Sequence, residues 1–284
     1  MSKKDFIKSA DGLLVAYETA GTGEPALVFA HCWCGNRSYW KNQIDFFSKN
    51  YPVITLDLAG HGESGKTRKD YTVTAFAHDV IAVLKKVAPE KVILIGHSLG
   101  GPVMVAVSAM LGNKVLAVIG IDTFANIEFI ITDKDYDIFI EPYRKDFKGT
   151  TEKYIKTMFH VDADQRLVEK ISNDISSAFP EMAMSSFKEL YQYNLTEDFR
   201  NLKHPVIAIN TDKHPTNVEV AKQYTDSFEL IILEDVGHFM MLEDPVRFNK
   251  VLDETIKKLI KNNNFKKGND FLSGLRSKIF SIFR

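Results

Sequence analysis

Residues 91–111 read KVILIGHSLGGPVMVAVSAML, and no other stretch limits the possible folds of this chain so strongly. A β-branched run, Lys91–Gly96, meets Gly96-His97-Ser98-Leu99-Gly100-Gly101 and continues as a helical pattern. Glycines two residues either side of Ser98 permit a turn so tight that side chains there would collide. Such a strand–turn–helix serine sits on a strained backbone, clear of the sheet. It also lies at a helix N-terminus, where free N–H groups favour a developing oxyanion. An ordinary serine N-cap would need neither the flanking glycines nor the preceding buried strand.

The rest of the chain is consistent with that element. Apolar runs at Leu13–Thr19, Ala26–Ala30, Val53–Asp57, Val115–Asp122, Pro205–Asn210 and Glu229–Leu233 alternate with helical patterns. The helical patterns are Ser38–Ser48, Thr72–Val87, Ser98–Leu111, Asn217–Asp226 and Pro245–Lys261. Continuous apolar runs suit parallel strands covered on both faces. The alternation predicts an α/β fold, a doubly wound and mostly parallel sheet flanked by helices.

Residues 124–200 break the rhythm, with no strand pattern over 77 positions, thirteen of them Phe or Tyr. They are expected to form a helical cap inserted between two late strands. The core is then 1–123 with 201–261. Residues 262–284 form a separate unit in which Phe271, Leu272, Leu275, Ile279, Ile282 and Phe283 recur at helical spacing among Lys266, Lys267, Arg276, Lys278 and Arg284. This amphipathic basic tail suits peripheral membrane contact or self-association.

Thirty-six basic against 37 acidic side chains leave a formal charge of −1, so no nucleic-acid partner is implied. No apolar run approaches the roughly 20 residues that span a bilayer. The first residues lack the apolar core of a secretory signal, and a cytoplasmic location is expected. The two cysteines, Cys32 and Cys34, are too close for an unstrained disulfide and too few for a zinc site; they are expected as reduced thiols.

A serine needs a base. His238, in Glu234-Asp235-Val236-Gly237-His238-Phe239 after the last strand, falls at the carboxyl edge of the sheet with Ser98. His78, His160 and His204 lie in helical or cap segments, while His61 and His97 are expected to be structural hydrogen-bonders. For the acid, Asp212 directly follows PVIAIN and completes the order Ser98, Asp212, His238. Asp122, ending the preceding strand, is the alternative. Asp212 is preferred because the loop after its strand leads into the helix before His238. Backbone N–H groups of Leu99 and Trp33 are assigned to an oxyanion hole. These groups require no metal and no organic cofactor, and the partner is a small-molecule substrate.

With these motifs in place, the sequence resembles the α/β-hydrolase superfamily over roughly residues 10–260. The resemblance rests on His31-Cys32-Trp33, Asp57-Leu58-Ala59-Gly60-His61-Gly62-Glu63-Ser64, the Gly-His-Ser-Leu-Gly-Gly elbow, and Val236-Gly237-His238-Phe239 followed by Glu243-Asp244-Pro245. Two places depart from the family pattern. Cys32 stands where the family usually has Gly, and the acid loop Asn210–Pro215 is shorter than usual. The resemblance implies a serine hydrolase acting through an acyl-enzyme on an ester, thioester or lactone, with an apolar substrate group suggested by Met158, Met182, Met184 and the aromatic cap. Carbon–carbon bond hydrolysis and cofactor-free perhydrolysis use the same triad. Ser98 argues against epoxide hydrolases and haloalkane dehalogenases, whose elbow carries aspartate.

A competing motif overlaps the second of these. Gly60–Thr67 fits Gly-x₄-Gly-Lys-Thr, the phosphate-binding loop of nucleotide hydrolases. Such a loop runs straight into its helix, whereas Arg68-Lys69-Asp70-Tyr71 intervenes here before the next helical pattern.

Overall fold

The computed structural model describes residues 2–262. The amphipathic tail expected from residue 262 onward therefore lies almost wholly outside the described residues.

The elements follow in order β1 (Lys3–Lys8), β2 (Leu14–Ala20), β3 (Ala26–Ala30), α1 (Lys41–Phe47), β4 (Val53–Leu56), α2 (Val73–Val87), β5 (Val92–His97), α3 (Gly100–Leu111) and β6 (Val115–Ile121). Then come α4 (Asp133–Lys145), α5 (Phe147–Lys156), α6 (Gln165–Ser176), α7 (Pro180–Gln192), α8 (Leu195–Asn201), β7 (Val206–Thr211), α9 (Val218–Lys222), β8 (Phe228–Leu233) and α10 (Met240–Glu243). A last helix, α11, occupies 245–262.

The strands form one eight-stranded sheet in the order β1-β2-β4-β3-β5-β6-β7-β8. β2 runs antiparallel to both of its neighbours; β4, β3, β5, β6, β7 and β8 are mutually parallel. Every residue of β3, β4, β5 and β7 is buried, as strands covered on both faces must be. The edge strand β1, Lys-Lys-Asp-Phe-Ile-Lys, was not expected from the sequence. From Lys4 its residues alternate between exposed and half-buried, as on a half-exposed edge, and it pairs with β2 through backbone bonds that polar residues make as well as apolar ones.

Right-handed crossovers fix which face each helix covers. The chain steps from β3 outward to β4 through α1, then back across β3 to β5 through α2 and on to β6 through α3. The direction reverses between β3 and β5, so α1 lies on one face and α2 and α3 on the other. α11 joins α1, where the Gln43 side chain donates to Asn249 Oδ1 at 2.9 Å. A reversal of this kind leaves a crevice at the carboxyl ends of β3 and β5.

Among the described residues, five helices, α4 to α8, intervene between β6 and β7. Their starts are set locally. Thr132, Asp146, Asp164 and Asn194 each accept a backbone N–H in the first turn, and Pro180 opens α7. Val168, Ile171 and Ile175 form the buried stripe of α6 at i, i+3, i+7. Several bonds lock these helices over the carboxyl edge of the sheet. Trp33 Nε1–H donates to the Ala183 carbonyl at 2.7 Å, and the His238 N–H donates to the Met158 carbonyl at 2.8 Å. The His160 N–H reaches Glu243 at 3.0 Å, and the Val73 N–H reaches Glu189 at 3.1 Å.

The segment Gly60–Thr67 is a turn with no helix until Val73. It encloses a carboxylate of the chain itself. Asp57 accepts from the backbone N–H groups of Arg37 and Glu63 at 2.7 and 2.9 Å and is paired with the Arg37 guanidinium. A Cβ on Gly62 would fall 2.3 Å from that carboxylate. The phosphate-loop motif is thus used to wrap the Asp57 carboxylate.

Candidate active site

Ser98 follows β5 with φ at +51°, the left-handed region that costs a non-glycine residue energy. The flanking glycines make this turn possible. A Cβ on Gly96 would sit 2.1 Å from the Gly100 carbonyl oxygen, and one on Gly100 would sit 2.6 Å from the Ala30 carbonyl oxygen. The turn is pinned by Ser98 N–H to the Ile121 carbonyl at 3.0 Å and Gly101 N–H to the Ser98 carbonyl at 2.8 Å.

Ser98, His238 and Asp122 line one cavity of ≈ 320 Å³ between the carboxyl edge of the sheet and helices α5 to α7. His238 Nδ1 lies 2.5 Å from Asp122 Oδ2. Asp122 also accepts the Thr211 N–H at 3.2 Å. Burial works to raise its carboxyl, but the His238 hydrogen bond and charge outweigh burial and hold it below the ordinary carboxylate value.

The expected acid, Asp212, is not the residue at His238. It is exposed, beyond the end of β7, and no described residue bonds its side chain. β7 runs two residues, Asn210 and Thr211, past the end of its ladder with β6, so the next side chain is carried out to solvent. Asp122 instead leaves β6, the strand beside the elbow strand, with φ at +44°. That turn aims its carboxylate along the sheet edge toward His238. Both aspartates satisfy the order serine–acid–histidine, so chain order alone could not separate them.

The loop after β3 supplies Cys32 and Trp33 to the cavity. Neither the Trp33 N–H nor the Leu99 N–H donates to another described residue, and Leu99 is the buried N-cap position of α3. Two histidines hold the loop. His31 Nε2 accepts the Leu58 N–H at 3.0 Å, and His61 Nε2 accepts the Cys34 N–H at 3.2 Å. Burial, opposed by the bond to the Cys32 carbonyl, brings His31 down to about 4; burial and the neighbouring His31 bring His61 down to about 3. Burial pushes the Cys32 thiol up to about 12, so beside Ser98 it stays a neutral thiol at pH 7.

His97, the last residue of β5, is buried, and burial followed by the nearby His238 holds it well below the ordinary histidine value. Its Nε2 lies 2.8 Å from the His238 carbonyl oxygen, and the two rings are 4.4 Å apart. His97 and His61 are thus the structural hydrogen-bonders the sequence suggested.

Of the three methionines expected to shape an apolar substrate site, Met158 lines the cavity. Met182 packs against the Gly60 turn, and the Met184 carbonyl accepts from Tyr136. Ile155, Ile175, Phe187 and Leu190 supply more apolar wall, while Tyr154, Tyr191, Asn210 and His214 add polar groups. His214 could have been suspected, since loops after parallel strands gather at this edge. The two tyrosines could not, because aromatics on amphipathic helices carry the same pattern when they only pack a core. Among the described residues no cluster of His, Cys, Asp or Glu could hold a metal ion.

A model of the alpha/beta hydrolase family matches residues 27–251. The 3-oxoadipate enol-lactonase 2 of Acinetobacter baylyi is 25% identical over 261 residues, covering 90% of this chain and 97% of that enzyme. The karrikin insensitive 2 receptor IA of Petunia hybrida is 22% identical over 210 residues, covering 70% of this chain and 77% of the receptor. Among solved structures, an esterase from Exiguobacterium antarcticum superposes with a TM-score of 0.81 at 22% identity, covering 90% of this chain and 100% of that one. The family match spans the loop after β3, the Ser98 turn, Asp122 and His238 together, and the chain belongs to the alpha/beta hydrolase family.

Proposed function

We propose that this protein is a serine hydrolase that cleaves a carboxylic ester or a related acyl bond, such as a thioester or lactone, through an acyl-enzyme. The observation that carries the reading is the Asp122–His238 hydrogen bond in the cavity that also holds Ser98. With Nδ1 engaged by Asp122, His238 has Nε2 left to serve Ser98. The Ser98 oxygen attacks the substrate carbonyl carbon while His238 takes the hydroxyl proton. The oxyanion is received by the Trp33 and Leu99 N–H groups. As the carbonyl reforms, the bond to the leaving group breaks and His238 returns the proton to it. Water then repeats the sequence on the acyl-enzyme, giving its proton to His238, which passes it to Ser98. Asp122 keeps the imidazole in one tautomer and stabilises the imidazolium. The helices α4 to α8 act as a cap, and their apolar lining favours a compact apolar substrate group. The enol-lactonase and esterase relatives support an acyl substrate.

The test is a series of p-nitrophenyl esters of increasing acyl length, with Ser98→Ala as the control and mass spectrometry after a fluorophosphonate probe. Turnover of the shorter esters and a single adduct on Ser98 are expected. Unlabelled Ser98, or turnover that survives Ser98→Ala, would overturn the reading.

A further inference from the structure

We propose that Asn210 is a positioning residue, its side-chain amide clamping the backbone of Thr123 so that the adjoining Asp122 carboxylate is held against His238. The inference rests on the serine-hydrolase reading above.

The β6–β7 ladder ends at Ile121 and Ile209. Beyond it the chain bends sharply, with φ at +44° for Asp122 and +61° for Phe124. Thr123, between them, has lost its ladder partner, and backbone groups near a buried site need replacements. Asn210 provides both. The Thr123 N–H donates to Asn210 Oδ1 at 3.1 Å, and Asn210 Nδ2 donates to the Thr123 carbonyl at 2.9 Å. The side-chain amide thus acts as one more peptide group in the ladder. Nδ2 also donates to Thr216 Oγ1 at 2.7 Å, which fixes the amide from the far side. Asn210 itself is 2% exposed.

The requirement is chemically narrow. An ionised aspartate could accept from Thr123 but not donate to its carbonyl, and leucine could do neither. On either side of the clamp, the Asp122 N–H donates to the Ile209 carbonyl at 2.9 Å and the Thr211 N–H donates to the Asp122 carboxylate at 3.2 Å. The end of β7 therefore supplies the seat for an acid carried by β6. Asn210 hydrogen-bonds neither Ser98 nor His238 but does line the cavity, so the test must separate an effect carried by Asp122 from one made by direct contact with substrate.

The experiment is a double-mutant cycle of Asn210→Ala with Asp122→Asn, read as kcat, KM and fluorophosphonate labelling rate on the full chain. Asn210→Ala should lower kcat at least tenfold with KM changed less than threefold, and slow labelling in parallel. In the Asp122→Asn background the same change should cost less than twofold, because there is no longer a carboxylate to aim. Thr216→Val, which removes one partner of the amide and leaves Thr123 clamped, provides the second variant if Asn210→Ala does not fold. Its smaller loss should also vanish in the Asp122→Asn background. Equal losses in both backgrounds, for whichever variant folds, would overturn the positioning role and leave the hydrolase reading intact. An active Ser98→Ala would instead remove the reading on which it rests.

Discussion

The Oδ2 atom of Asp122 lies 2.5 Å from Nδ1 of His238, although 116 residues separate them in the chain. One leaves β6 on a left-handed residue; the other sits in the loop after β8. The pair makes the first prediction specific. Asp122→Asn should lower kcat by about 10⁴, the scale seen when an acid that sets the histidine tautomer is replaced by its amide. Asp212→Asn should stay within about twofold of the parent. Steady-state kinetics on a short p-nitrophenyl ester decide, and the reverse ranking would restore Asp212.

Ser98→Ala removes only a hydroxyl from a backbone held by glycines. It should leave the melting temperature within a few degrees and reduce ester turnover by about 10⁴ to 10⁶. Circular dichroism and a kinetic assay on the same preparation check both halves.

Gly237 tests how the insertion is seated. A Cβ there would lie 2.4 Å from the Met158 carbonyl oxygen and 2.6 Å from the His160 nitrogen, both backbone atoms that cannot swing away. Gly237→Ala should push this segment off the His238 loop and break the bond from His238 N–H to Met158. The expected loss is about 1–3 kcal/mol of stability, with activity down at least tenfold, measured by urea unfolding and kcat/KM. Parent-like values for both would mean that this contact does not constrain the site.

Stability should fall with acid below pH 6.5. His31 and His61, held at about 4 and about 3, remain unprotonated in the folded chain at pH 5, while the unfolded chain, with ordinary histidines, binds those protons. Because the unfolded state takes up more protons, stability rises with pH across this window and is lost on descending it. At pH 5 the loss is about 2 kcal/mol for each histidine. A melting temperature several degrees lower at pH 5 than at pH 7 is expected, and an unchanged value would contradict the burial of these rings.

ATP or GTP with magnesium should leave the melting temperature unmoved, since the Gly60–Thr67 turn already encloses Asp57. A bound ligand at 100 times its dissociation constant would add about 2.7 kcal/mol, a shift easily seen. A shift lost in Lys66→Ala would revive the phosphate-loop reading.

The parallel strands and the elbow were legible because their causes are local. β-Branched runs too apolar to face water must be buried on both sides, and Gly96 is required by the carbonyl of Gly100, four residues on. His238 was legible for a related reason: a loop after the last parallel strand can only emerge at the edge where Ser98 sits. The charged edge strand β1 was not legible, because it carries no continuous apolar run and is placed mainly by its backbone pairing with β2. Nor was the choice between Asp122 and Asp212. Both end a strand at that edge, and both lie between Ser98 and His238 in chain order. What separates them is how far β7 extends past its neighbour, and that Asn210 and Thr211 spend their polar groups on the backbone and carboxylate at the end of β6. Those bonds join residues some 87 positions apart, across two adjacent strands, so they exist only once the sheet has formed. Local residue patterns are enough to bring a serine and a histidine to one sheet edge; which carboxylate reaches the imidazole depends on the folded sheet, because only packing sets where each strand stops.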